Sequence, residues 1–167
     1  MYFPLHPGTP AEGLLLKDLF AGRNLDLDGM HARMKGLMDM EGLPYNRRTH
    51  TYNSRLAQEL AKWADSQPGF ERIHQALYRA YFVDGRNIGD PGVLIAIAQG
   101  LGLSADGAHE VLTKRRFKPV VDEDWAKARQ AGITGVPSFM AGNHKVAGAQ
   151  PYDVLAELVR TALNSQM

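Results

Sequence analysis

The stretch Gly132-Ile133-Thr134-Gly135-Val136-Pro137-Ser138-Phe139-Met140-Ala141-Gly142-Asn143-His144-Lys145-Val146-Ala147-Gly148 decides the fold. Two short strand-like runs flank Gly142-Asn143, and that arrangement reads as a tight β-hairpin. Pro137 heads the first run, where a missing N–H is tolerated. Past the hairpin, Pro151 opens a helix whose Val154, Leu155, Leu158, Val159 and Leu163 share one face. A lone hairpin under one helix is marginal, and its outer edge needs a neighbour. Met1 to Leu5 is the other strand candidate, a short one weakened by Pro4. The sheet therefore reads as incomplete.

Upstream of Gly132 the periodicity is helical. Thr9-Pro10-Ala11-Glu12 has the form of a capping box with proline at the first helical position, and Gly22 ends that segment. A second helix is expected from about Asp28 to Glu41, closed by Gly42. Its Met30, Met34, Leu37 and Met38 stripe suits packed core, with an adaptable binding groove as the alternative. The polar segment from Pro44 to Tyr52 leads to Asn53 or Ser54, which cap a helix carrying Leu56, Leu60 and Trp63. Pro68-Gly69 breaks it. Phe70, Ile73, Leu77 and Tyr81 mark the next helix, which stops at Asp84-Gly85. Asp90-Pro91 and Ser104 open two more, and Val120 to Ala131 is the last of the series.

Composition bounds the function. The 167 residues carry 19 basic and 18 acidic side chains, for a net charge of +1. So even a balance gives no long-range field, and neither nucleic acid nor an anionic membrane is an expected partner. The basic cluster Lys114-Arg115-Arg116 with Lys118 reads as a solvated helix end. No apolar run approaches the ~20 residues that span a bilayer, and the N-terminus lacks the pattern of a signal peptide, so a cytoplasmic location is expected. The six histidines never share a helix face at ligand spacing, so no metal is expected. There is no cysteine, which excludes disulfides and thiolate chemistry within these residues.

Gly-Ile-Thr-Gly-Val-Pro-Ser-Phe at 132–139, followed by the Gly-Asn turn and by Val146-Ala147-Gly148-Ala149-Gln150-Pro151, resembles the second half of a DsbA-family domain. More narrowly, it resembles the FrnE-like branch, related to 2-hydroxychromene-2-carboxylate isomerases and kappa-class glutathione transferases. The resemblance continues through Asn53-Ser54-Arg55-Leu56-Ala57, and through Ala80-Tyr81-Phe82 with Ile88-Gly89-Asp90-Pro91. At the start it takes in Phe3-Pro4-Leu5-His6-Pro7 with Pro10-Ala11-Glu12-Gly13. The ordered set of four segments, rather than Val-Pro alone, makes the match specific.

That resemblance implies an α/β, incomplete thioredoxin-like fold: a β-hairpin, a C-terminal helix and a short N-terminal strand, interrupted by a large all-helical domain. Residues 1–8 are then the remnant of the second strand, 9–131 the helical insertion and 132–167 the C-terminal half. The family's Cys-x-x-Cys, or the serine of its glutathione-dependent relatives, belongs to a preceding segment. A thiol-disulfide oxidoreductase that is inactive as given, for want of that segment, is the expectation. A non-catalytic binding relative acting as a dimer is the alternative, and a glutathione-dependent isomerase or transferase a weaker one.

The resemblance also implies a cis Val136–Pro137 bond. Gly135, Val136 and Pro137 would then hold an extended peptide or protein substrate, with the Val136 N–H and C=O pairing as an added strand. Asn53 either faces a substrate, as in the glutathione-dependent relatives, or caps its helix. Arg47 and Arg48 either bind a carboxylate or lie in solvent. Trp63 and Trp125 read as core. No cofactor is expected, with glutathione as the exception, and a homodimer or strand exchange is expected to cover the sheet edge.

Overall fold

A computed structural model describes residues 1–67 and 71–165. The helix break expected at Pro68-Gly69 and the apolar position Phe70 lie outside the described residues. The chain divides into two compact units, one formed by His6–Val121 and the other by Met1–Leu5 with Asp122–Met167.

The first unit contains β1 (Leu14–Leu15), α1 (Leu16–Leu19), α2 (Leu27–Met40), β2 (His50–Thr51), α3 (Arg55–Asp65), α4 (Ile73–Phe82), α5 (Pro91–Gly100) and α6 (Ala105–Lys114). Its core forms where α3 packs on α4, α5 and α6. Leu60, Ala64, Ile73, Leu94, Ala98 and Ala108 are completely buried there. The helix starts follow the sequence closely. Asp90 Oδ1 accepts from the N–H groups of Gly92 (2.6 Å) and Val93 (3.2 Å), with Pro91 at the first position. Ser104 Oγ accepts from the Gly107 N–H at 3.1 Å.

Two expectations give way in this unit. The capped helix at Thr9 is instead a turn leading into β1, which pairs antiparallel with β2 through Leu14–Thr51 and Leu15–His50. The Thr9 hydroxyl donates to the His6 carbonyl at 2.8 Å, so it is spent outside any helix. Gly13, at φ +91°, then brings the backbone against Tyr52, where an added Cβ would lie 2.5 Å from the ring. The second correction concerns α2, which buries no residue. Met30, Met34 and Leu37 are exposed, at 52%, 45% and 44%, so the stripe is not packed core. Trp63 is half-buried rather than enclosed, as is Trp125 of the other unit.

The second unit contains β3 (Ser138–Ala141), β4 (His144–Ala147) and α8 (Tyr152–Asn164). α7 (Lys118–Gln130) starts in the first unit and belongs to the second from Asp122 onward. β3 and β4 pair from Ser138–Ala147 to Ala141–His144. Gly142 holds the first of the two turn positions at φ +55°. α8 covers the hairpin with Leu158 and Ala162. Lys145 Nζ reaches from β4 to the end of α7, donating to the carbonyls of Ala131 (3.0 Å) and Gly132 (2.9 Å) that the helix leaves open. Residues 1–8 form no strand, contrary to the short N-terminal strand expected. Pro4 has no N–H to give a ladder, the Leu5 N–H turns back to the Phe3 carbonyl, and the Tyr2 N–H donates to Asp124 Oδ2 at 3.0 Å.

Candidate functional site

The approach to β3 is built by Gly135, Val136 and Pro137. The Val136–Pro137 peptide is cis. On one side the Ser138 hydroxyl donates to the Gly135 carbonyl at 2.7 Å. On the other, the Gly148 N–H donates to the Pro137 carbonyl at 2.8 Å, extending the hairpin by one bond beyond its last strand pair. Both bonds fix the backbone around Val136 without using Val136 itself. Its N–H and C=O make no hydrogen bond among the described residues, and its side chain is 53% exposed. Phe139 and Met140 on β3 are also exposed. The segment thus offers an open donor and acceptor beside apolar side chains, the composition that an added extended strand reads.

Asn53 belongs to the first unit and the Val136 loop to the second. Its amide is committed locally. Nδ2 donates to the carbonyls of Pro7 (2.9 Å) and Thr9 (3.2 Å), and Oδ1 accepts from the Arg55 N–H at 2.9 Å. Asn53 therefore ties the segment before β1 to the start of α3. Ser54, which stands at the cap position, makes no capping bond from its side chain.

A feature that periodicity did not single out lies on α3. Glu59 is fully buried and is held by two arginines. Arg55 Nε donates to Oε1 at 2.7 Å from one turn earlier. Arg115, at the end of α6, donates through Nε to Oε2 and through Nη2 to Oε1, both at 2.7 Å. Burial acts to raise the pKa of the Glu59 carboxyl, and the hydrogen bonds and charges of Arg115 and Arg55 outweigh it, holding the group below the usual glutamate range. The signals were an acidic residue on the apolar face of α3 and Arg55 at the i,i+4 spacing.

Arg47 pairs with Asp28 at the surface. Arg48 instead sets its guanidinium carbon over the rings of Tyr81 and Phe82, 4.4 and 4.8 Å from their centroids. Among the described residues no group of three or more His, Asp or Glu side chains is arranged to hold a metal, and no helix is long and apolar enough to cross a membrane.

Comparison with known proteins agrees with this architecture. Residues 2–160 match the DSBA-like thioredoxin domain. A crystal structure of a probable DsbA oxidoreductase from Streptomyces coelicolor superposes with a TM-score of 0.82 at 29% identity, covering 97% of this chain and 73% of that one. A protein from Nitrosomonas europaea assigned as a protein disulfide isomerase gives a TM-score of 0.65 at 16% identity, over 93% of this chain and 78% of that one, a likeness of fold alone. The uncharacterized protein YwbO of Bacillus subtilis is 30% identical over 111 residues, 66% of this chain. Those residues amount to 55% of YwbO, so the chain spans about half the length of that curated relative. With the hairpin, its covering helix and the helical unit all in place, the chain belongs to the DSBA-like thioredoxin domain family.

Proposed function

We propose that these residues supply the substrate-holding part of a DsbA-type thiol-disulfide oxidoreductase, with Gly135, Val136 and Pro137 presenting an extended peptide to the redox site. The observation that carries this reading is the Val136 backbone. Its N–H and C=O are unengaged among the described residues, while its neighbours are fixed by the Ser138–Gly135 and Gly148–Pro137 bonds. A peptide laid along this segment would gain main-chain hydrogen bonds, and side-chain pockets would add selectivity.

The redox step itself needs a thiolate, and the chain has no cysteine. The dithiol that exchanges with the substrate disulfide must therefore be contributed from outside these residues, and the chain on its own is inactive in exchange. Within the family, the four ordered sequence segments favour the FrnE-like branch.

Peptide affinity tests the holding role. A seven-residue peptide of valines around a central S-methylcysteine should bind the chain, and Val136→Pro, which removes the N–H, should weaken it at least tenfold. Val136→Ala keeps the backbone and should leave affinity within about threefold. Equal affinity for all three proteins would remove the reading.

A second reading rests on the sheet. β3 pairs only with β4 among the described residues, and its Phe139 and Met140 are exposed. A second copy, or an exchanged strand, would cover that edge as a homodimer. Sedimentation across micromolar concentrations distinguishes this from a monomer. The arrangement at Asn53, whose amide serves the 7–9 segment, lends no support to glutathione as a ligand.

A further inference from the structure

We propose that the cleft between residues 47–52 and the end of α4 binds the oxyanion group of a small ligand, a carboxylate or a phosphate, against Arg48. A cavity of about 70 Å³ opens there, lined by Arg47, Arg48, Thr49, His50, Tyr52 and Tyr81. One water occupies roughly 30 Å³ in the liquid, so the space suits a compact group of a few heavy atoms. It lies wholly within the His6–Val121 unit, and the proposal is independent of the peptide reading at Val136.

The chemistry of the walls selects an anion. Two arginines, a histidine and the hydroxyl-bearing Thr49, Tyr52 and Tyr81 are among the lining residues, and no acidic residue is. The one acidic side chain paired to this segment, Asp28, is taken by Arg47 at the exposed surface. Arg55 and Arg115, which are also half-buried, spend their charge on Glu59. Arg48 has no carboxylate partner and makes no hydrogen bond among the described residues, and its Nε is buried without a partner. Its terminal nitrogens likewise have no acceptor among the described residues, and an arriving oxyanion would supply a charge-assisted one.

The site is also held in shape before any ligand arrives. Cation–π contact with Tyr81 and Phe82 holds the Arg48 guanidinium in place. With Nε sealed from solvent, the contact falls to the terminal nitrogens. The loop is anchored to the end of α4 by Asn46, whose N–H donates to the Phe82 carbonyl (3.0 Å) and whose Nδ2 donates to the Val83 carbonyl (2.7 Å). His50 stacks on Tyr52 with planes 4° apart, and Tyr52 meets Tyr81 edge-on at 6.2 Å. Thr49 Oγ1 and His50 Nδ1 share a hydrogen bond of 2.8 Å.

The test is a titration of the ¹⁵N-labelled chain with inorganic phosphate and, separately, acetate, at ionic strength held constant with sodium chloride. The Arg48 Nε–Hε resonance is followed. A saturable shift with either ion is expected, phosphate or acetate alone identifying the class of oxyanion. Arg48→Lys should raise the apparent Kd at least tenfold, and His50→Gln should raise it severalfold. Should Arg48→Lys fail to fold, the resonance in the unaltered chain still decides. A straight-line response equal to that of added chloride would overturn the proposal and leave the cavity a water site.

Discussion

Arg115 grips Glu59 with two parallel hydrogen bonds of 2.7 Å, and does so from a left-handed backbone position at φ +51° that arginine seldom adopts. Such a conformation costs about 1 kcal/mol or more. The fork is what holds it there, because it places the guanidinium at the end of α6 directly on a carboxylate inside α3. Removing the charge while keeping the shape, with Glu59→Gln, takes away the buried carboxylate that Arg55 and Arg115 share. The expected loss is about 3 kcal/mol, the low end for breaking a buried pair because Arg115 is partly exposed. Urea unfolding of the two proteins measures it.

The same carboxylate makes stability depend on acid. Its pKa is lower folded than unfolded, so its contribution is complete above the ordinary glutamate range and disappears as pH falls through the lowered folded value. Unfolding free energy should therefore decline as the medium is acidified through that window. In Glu59→Gln the decline should be shallower, and parallel curves for the two proteins would contradict the assignment.

Gly13 should not accept a side chain. Alanine there would put a Cβ 2.5 Å from the Tyr52 ring and 3.0 Å from the Thr51 carbonyl oxygen, at a φ of +91°. Overpacking and backbone strain together predict a loss of about 2 kcal/mol. Gly36→Ala, on α2 with open space around it, serves as the control and should be neutral or slightly stabilising. Thermal unfolding of both variants checks the contrast.

Asp90→Ala removes the acceptor for two helix-start N–H groups of α5 and should cost about 1 kcal/mol. Asp90→Asn should retain most of that stability, since the amide oxygen still accepts. Chemical denaturation of the pair separates capping from any general effect of charge.

These contrasts also explain what the sequence made legible. Asp90-Pro91, Ser104 and Gly142-Asn143 act over a few residues, and each formed the element its local chemistry suggested. Thr9 failed partly for a non-local reason: beside the local bond of its hydroxyl to His6, the chain after it is drawn into β1 by pairing with β2, whose residues lie far along the sequence. The methionine stripe of α2 has core spacing, but periodicity reports a shared face and not whether a partner covers it. The Glu59 cluster depends on Arg115 meeting α3 from the end of α6, which no spacing encodes.

Amide hydrogen exchange at Val136, measured with and without the S-methylcysteine peptide, tests the substrate-holding role most directly. Unengaged, that N–H should exchange quickly in the free chain and slow at least tenfold at saturating peptide, with little change at Asn53. Peptide binding that leaves the Val136 exchange rate unchanged would contradict the account.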